Sequence, residues 1–75
     1  MSRNPNIRYY ELAYEEFVTY KKMWAPRVAY LGKARSVREA CEKAMCFVNR
    51  EDIIVDYGTM YVVDTASGEF YAVER

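Results

Sequence analysis

The C-terminal end of this 75-residue chain constrains the fold most, because its pattern predicts a β-hairpin. Residues 59–64 and 69–74 are rich in residues that favour strands, and residues 65–68 form a polar loop that ends in glycine. The register stays open, because pairing Asp64 directly with Glu69 would set two like charges opposite each other. A bulged three-residue loop is therefore an equal alternative.

Both faces of this predicted hairpin are apolar, whatever its register. Successive side chains on a strand point to opposite sides of the sheet. The two sets are Met60 and Val62 against Tyr61 and Val63, and Phe70 and Ala72 against Tyr71 and Val73. Either two helices cover one face each, or one face stays open and becomes buried on a partner, because large exposed apolar patches usually mark interaction sites. The sequence leaves both alternatives open.

A helix is predicted over residues 37–49. Ser36 and Glu39 have the spacing of a capping box, in which the serine hydroxyl accepts from the Glu39 amide and the Glu39 carboxylate reaches back. The apolar positions of this helix share one face: Val37, Ala40, Cys41, Ala44 and Val48. Asn49 is the expected residue at its C-terminal end.

A second helix is predicted nearer the N-terminus, over residues 8–24. Apolar side chains recur there at steps of three and four: Tyr10, Ala13, Phe17, Tyr20 and Trp24. A strand pair competes with the helix, because Tyr, Phe, Val and Thr favour sheets. We favour the helix because no glycine or proline marks a turn between Asn6 and Pro26. Pro26 would then end it.

Two short strands complete the predicted architecture. Residues 27–31 form one strand, which Gly32 ends, and residues 52–56 form another. The predicted fold class is α+β, with two helices packed on a small antiparallel sheet in the order α-(β)-α-β-β-β and a C-terminal β-hairpin. We expect a single compact domain over residues 1–75, with residues 1–6 as a loose N-terminal lead.

The composition favours a folded, intracellular protein. A domain this small buries about 60% of its unfolded surface, so a core this rich in apolar residues (52% of the chain) is needed. Cys41 and Cys46 diverge by about 140° on the predicted helix, too far for a disulfide. With no secretory signal in the sequence, we expect reduced core thiols and a cytoplasmic location. No apolar run approaches the ~20 residues of a membrane-spanning helix.

Charge is balanced overall but unevenly distributed. Residues 1–50 carry ten Lys and Arg against five Asp and Glu, whereas residues 51–75 carry one against six. Six of the cations lie between Thr19 and Arg38, where aromatic residues are interleaved and acids are absent. This stretch predicts an anion-binding or nucleic-acid-binding surface formed by Lys21, Lys22, Arg27, Tyr30, Lys33, Arg35 and Arg38. The competing interpretation is that Tyr20 and Trp24 face the core and the cations only keep the surface soluble.

Catalytic chemistry is not expected. The chain has no histidine, which removes the usual general base and the commonest metal ligand, and its two cysteines diverge. Carboxylates are the remaining candidates for catalysis or ion binding, and acids of this kind are usually a solvated surface. We therefore predict no enzymatic activity, no cofactor and no metal.

Tyrosine abundance favours an interaction surface, because tyrosine is a rigid amphipathic contact residue. The candidate partner-binding residues are Tyr9, Tyr14, Tyr57, Met60, Tyr61 and Tyr71. In size, charge balance and lack of catalytic groups, the chain resembles the small accessory and inhibitor proteins that bacteriophages encode against host or defence machinery, including anti-CRISPR proteins. The resemblance involves no motif and assigns no role to any residue.

That resemblance implies a protein that docks on a larger protein or nucleoprotein complex in the host cytoplasm. The alternative is a small nucleic-acid-binding protein that uses the basic stretch 19–38. A homodimer is a further candidate, because it would bury a second apolar sheet face. No membrane association is expected.

Overall fold

The computed structural model describes residues 7–73, which form a four-stranded antiparallel sheet with one helix on one side. The expected loose lead, residues 1–6, lies outside the described residues. The sheet order is β2-β1-β3-β4. The elements are β1 (Arg8–Val18), β2 (Met23–Ala34), α1 (Val37–Glu51), a 3₁₀ turn (Tyr57–Thr59), β3 (Tyr61–Asp64) and β4 (Phe70–Ala72).

The predicted helix over residues 8–24 is wrong, and the competing strand pair is what the structure contains. Tyr10, Leu12 and Tyr14 are buried on one side of β1, while Glu11 and Ala13 between them lie on the other side. Buried side chains therefore recur at every second residue, as on a strand, and the apolar spacing of three and four that predicted a helix is coincidental. The predicted fold class is wrong for the same reason, since the described chain holds one helix rather than two.

The turn between β1 and β2 forms without glycine or proline. The Val18 carbonyl accepts hydrogen bonds from the amides of Lys21 and Lys22, at 3.1 and 2.8 Å. Lys22 takes a positive φ of 55°, which is uncommon for a side-chain-bearing residue. Backbone hydrogen bonding therefore stabilises a turn that the residue types did not indicate.

Pro26 lies inside β2 rather than at a helix end. The Phe17 amide donates to the Ile54 carbonyl, and the Glu15 carbonyl accepts from the Asp56 amide, so both residues bond away from β2. Pro26 is paired with Glu15, and its nitrogen therefore faces the outer edge, where no strand needs a donor. An edge strand accommodates a proline at such a position without losing a ladder hydrogen bond.

Gly32 bends β2 but does not end it. The register shifts between Tyr10 and Glu11 of β1, which leaves Leu31 as an extra residue, and Gly32 takes a φ of +92°. The strand then continues to Ala34. The predicted short strand over residues 27–31 is thus the middle of a twelve-residue strand.

The capping of α1 is confirmed in part. The Ser36 hydroxyl accepts from the Glu39 amide at 3.1 Å, as predicted. The Glu39 carboxylate accepts from the amide of Arg35, at 2.6 Å, rather than from that of Ser36. The helix continues past Asn49 and ends at Glu51, and the cap residue Asp52 takes a left-handed φ of 54° and donates its amide to the Asn49 carbonyl.

The region after α1 contains less strand than predicted. Residues 52–56 form only a single bridge, between Val55 and Glu16. The β3–β4 hairpin is present, and the amide of Asp64 donates to the Glu69 carbonyl at 2.8 Å, which settles the register with a four-residue loop. Gly68 supplies the left-handed position of that loop, at a φ of +79°. Residue 74 of the predicted strand lies outside the described residues.

The core lies between α1 and one face of the sheet. Ala40 and Ala44 of the helix are fully buried, and the small side chains allow α1 to approach the sheet closely. The largest fully buried side chains beneath it are Leu12, Met60 and Val62. The opposite face of the sheet has no cover among residues 7–73, because they contain no second helix.

The two cysteines of α1 differ in exposure. Cys41 packs partly against the core, as expected, whereas Cys46 is exposed on α1, and neither forms a disulfide. The expectation of two core thiols is therefore wrong for Cys46. Within residues 7–73, α1 is too short and too polar to span a bilayer.

Candidate functional site

The candidate site is the side of the sheet that faces away from α1, which we name the open face. Residues paired directly across neighbouring strands share a face, so the strand register defines its members. β1 contributes Tyr9, Glu11, Ala13, Glu15 and Phe17; β2 contributes Trp24, Pro26, Val28, Tyr30 and Lys33; β3 and β4 contribute Tyr61, Val63, Phe70 and Ala72. Eleven of these fourteen residues are apolar or aromatic.

Large apolar side chains of the open face remain in contact with solvent. Val28, Tyr30 and Phe70 are each about two-thirds exposed, at 68%, 67% and 66%, and Trp24 is 44% exposed. Isolated exposed apolar residues are normal on protein surfaces, but a contiguous sheet face of them is typical of an interaction site.

Two pairs of aromatic rings on the open face are in edge-to-face contact. The rings of Phe17 and Trp24 meet edge to face with centroids 5.3 Å apart, and those of Tyr61 and Phe70 do so at 5.4 Å. Edge-to-face pairs of this kind contribute about 0.5–1.5 kcal/mol beyond their burial. Each contact restricts the positions open to its two rings, which lowers the entropy lost on binding.

Two carboxylates interrupt the apolar surface. Glu11 lies between Tyr30 of β2 and Val63 of β3, and Glu15 lies beside Pro26 on the same strand face. Both glutamates are half-buried, and neither side chain forms an ion pair with another residue in the range 7–73. They are about 13 Å apart along β1. The open face thus presents two unpaired negative charges among aromatic and aliphatic groups.

The structure separates the six tyrosine and methionine candidates. Tyr9 and Tyr61 lie on the open face. Tyr14 and Met60 are 7% and 1% exposed, so they belong to the core and present no contact surface. The two remaining candidates, Tyr57 and Tyr71, pack against the core on the same side as α1.

The buried tyrosine beneath α1 has a structural role. Tyr14 meets Phe47 of the helix edge to face, with centroids 6.2 Å apart. Burial, reinforced by the nearby carboxylate of Glu16, raises the pKa of the Tyr14 hydroxyl above its ordinary value. The ring is therefore a neutral part of the core at any physiological pH.

The predicted basic surface is not assembled in one place. Lys21 and Lys22 lie in the turn between β1 and β2, whereas Lys33 lies at the far end of β2, about 35 Å away by strand length. Arg27 lies on the helix side of the sheet and forms an ion pair with Glu16 at 3.0 Å. Of the remaining members, Arg35 and Arg38 lie near the start of α1, and Tyr30 lies on the open face.

Tyr20 and Trp24 do not belong to the core, contrary to the competing interpretation of this stretch. Tyr20 is 83% exposed in the turn, with the Lys21 ammonium 5.8 Å from its ring centroid. Trp24 lies on the open face against Phe17. The competing interpretation depends on a helix over residues 8–24, which the structure replaces with two strands and a turn.

One buried carboxylate on the helix side is accounted for by local structure. Asp64 is 4% exposed; it accepts from the Ala66 and Ser67 amides and pairs with Arg8 at 3.1 Å. Burial raises the pKa of this carboxyl, but the two amides and the Arg8 guanidinium outweigh burial and hold its pKa below the ordinary value. Asp64 orders the hairpin loop and needs no ligand. No three His, Cys, Asp or Glu side chains in residues 7–73 are arranged to hold a metal ion.

Sequence reasoning missed several exposed members of the open face. Trp24, Val28 and Phe70 were not among the candidate contact residues, and neither were Glu11 and Glu15. A signal was present for the two glutamates, because Glu11 and Glu15 alternate with apolar, buried residues at positions 10, 12 and 14 once β1 is treated as a strand. Comparison of the chain with protein-family models, curated proteins and solved structures found no match.

Proposed function

We propose that this protein is a binding module that docks on a partner protein through the open face. The observation that carries the proposal is the single helix, which covers one side of an apolar sheet and leaves the other uncovered in residues 7–73. Val28, Tyr30 and Phe70 would contribute most, because they have the most apolar area to bury. Aromatic side chains are also the commonest hot-spot residues of protein interfaces.

The carboxylates of the open face indicate the chemistry of the partner. Glu11 and Glu15 are half-buried without a cation in the described chain, so docking against an apolar surface alone would desolvate two unpaired charges. A partner that presents Lys or Arg side chains from an apolar surface would pair them instead. We therefore propose a partner surface that is apolar at its centre and carries two basic groups about 13 Å apart.

Nucleic-acid binding is the weaker candidate. Exposed aromatic rings on a sheet could stack on unpaired bases, but Glu11 and Glu15 lie among those rings and repel phosphate. The cations of residues 19–38 are spread over both ends of β2 and both sides of the sheet. Neither arrangement supports a continuous phosphate-binding track.

The origin of the partner stays a prediction. Docking through an open face, without catalytic groups, is the mode of action expected of a phage-encoded inhibitor of a host or defence complex. The absence of enzymatic activity also stays a prediction.

The proposal is tested by the affinity for a partner recovered from nuclease-treated lysate. Replacing Phe70 with lysine puts a charge into the open face, and we expect affinity to fall at least about ten-fold, as for an interface hot spot. Tyr20→Lys is the matched control, because it makes the same kind of change at an exposed aromatic outside the face. Equal loss in both variants, or recovery of nucleic acid alone, would contradict the proposal.

The charge requirement is tested separately. Glu11→Gln keeps the shape of the side chain and removes its charge. We expect weaker binding with a smaller dependence on salt, because one interfacial ion pair is lost. Tighter binding of the Glu11→Gln variant would show that the partner has no cation at this position.

A further inference from the structure

The outer edge of β2 is a second unpaired surface, distinct from the open face. β2 is the first strand of the sheet, so its far side meets no other strand within residues 7–73. The backbone N–H and C=O groups of Glu15 and Phe17 in β1 point away from β2. The β2 residues paired with them, and every second residue along β2 from there, therefore point their own N–H and C=O groups to the free edge. These include Val28 and Tyr30. A free edge of this kind is a template for pairing with another strand.

Neither end of this edge can offer its full set of backbone hydrogen bonds to another strand, so only the middle of the edge is available for pairing. Pro26 has no N–H to donate. At the other end, the Lys33 carbonyl already accepts from the Lys43 ammonium. Between them, Val28 and Tyr30 each present a donor and an acceptor, and they lie symmetrically about Ala29. A window this short and symmetric suits a copy of itself better than a long foreign strand.

We propose that the β2 strands of two copies pair antiparallel on this edge, with the two-fold axis at Ala29. Val28 of each copy then exchanges two backbone hydrogen bonds with Tyr30 of the other, about four in total. The pairs join a β-branched and an aromatic side chain, a favourable combination across strands. Ala29 meets its own copy on the axis, where two strands approach most closely and a small side chain fits.

The charges near the axis are compatible with this arrangement. Arg27 lies opposite Leu31 of the second copy, so no like charges face each other across the new strand pair. A groove runs between β2 and α1, with Glu39 near its start and Arg50 near its end. The two-fold axis sets the two helices antiparallel, which turns the Glu39 end of one groove toward the Arg50 end of the other.

The edge of β2 is a better site for self-association than the open face. Pairing two open faces would bring Glu11 and Glu15 of both copies into one apolar interface, to which residues 7–73 of each copy add one cation, Lys33 at the far end of β2. Edge pairing instead makes one eight-stranded sheet with both open faces on the same side. One open face spans on the order of 500 Å², against ~800 Å² per partner in a standard interface, so the dimer offers a partner a surface of ordinary size.

The test is the mass in solution from low-micromolar to millimolar protein. We expect a species of twice 8.9 kDa for the wild type. Val28→Pro removes the outward N–H and leaves the bonds to β1 intact, as Pro26 does, so it should weaken dimerisation about thirty-fold or more. Val28→Thr keeps the N–H and the β-branch, and it should dimerise like the wild type.

Hydrogen exchange of the wild type gives a second readout that needs no variant. The amides of Val28 and Tyr30 should be protected at high concentration and should exchange freely on dilution, while amides bonded to β1 do not change. A monomer at every concentration would overturn the proposal, and so would a dimer that survives Val28→Pro but is lost on Phe70→Lys. Partner docking through the open face does not depend on this result, because a monomer can also dock.

Discussion

Truncating Leu12 should cost this protein far more stability than truncating Val28, although both are apolar strand residues. Leu12 is fully buried at the centre of β1, with Ala29 on one side and Val62 on the other. Leu→Ala at such a site leaves a cavity and destabilises by about 3–5 kcal/mol. A 75-residue domain has about 4–11 kcal/mol in total, so Leu12→Ala removes a large share of it.

Val28→Ala is the matched comparison on the open face. Val28 is 68% exposed, so the loss should stay below about 1 kcal/mol, mostly through strand propensity. Urea unfolding of dilute protein measures both changes, and a loss of 3 kcal/mol corresponds to a fall in Tm of about 12–24 °C. Equal losses in the two variants would refute the reasoning, because Val28 would then be buried and the sheet would have no open face.

Two further changes test local features of the structure. Ser36→Ala removes the hydroxyl that accepts from the Glu39 amide, and it should lower the free energy of unfolding by about 1 kcal/mol. Urea titration measures this change, and an unchanged free energy of unfolding would show that the cap is dispensable. Asp64 has a lowered folded pKa, so its stabilisation is complete above the unfolded pKa of ~3.9 and is lost as pH falls through the folded value. Asp64→Asn should therefore destabilise at pH 7 and lose most of this effect once the pH falls below the folded pKa of Asp64.

Helix α1 and the β3–β4 hairpin were predictable because their signals are local. Ser36 and Glu39 define the start of α1 within four residues, and the β3–β4 hairpin alternates regularly around a glycine-containing loop. The prediction that both faces of that hairpin are apolar also agrees with the structure, since Val62 is buried and Phe70 is exposed on the other side.

The N-terminal half was not predictable by the same means. The turn after Val18 has no glycine or proline and depends on Lys22 taking a positive φ, which a residue-type signal does not report. Pro26 was read as a helix end, although at an edge strand it needs no donor. Both errors concern backbone features, the φ of Lys22 and the missing N–H of Pro26, that can be judged only once the place of each strand in the sheet is known.

The candidate site was predicted only in part, because its prediction depended on the wrong assignment of β1 and β2. Tyr9 and Tyr61 were predicted as contact residues because tyrosine suits interfaces, and Tyr30 was predicted as part of the basic stretch; all three lie on the open face. Met60 was named beside Tyr61, but neighbours on a strand point to opposite sides, and Met60 is buried. The open face as a whole emerges only when all four strands are placed side by side.

Photo-crosslinking to the captured partner tests the open face most directly. A benzophenone amino acid in place of Phe70 lies within the open face, and the same replacement at Tyr20 lies in the exposed turn outside it. We predict a crosslink to the partner from position 70 and none from position 20. A crosslink from position 20 alone, or equal yields from both positions, would contradict docking through the open face.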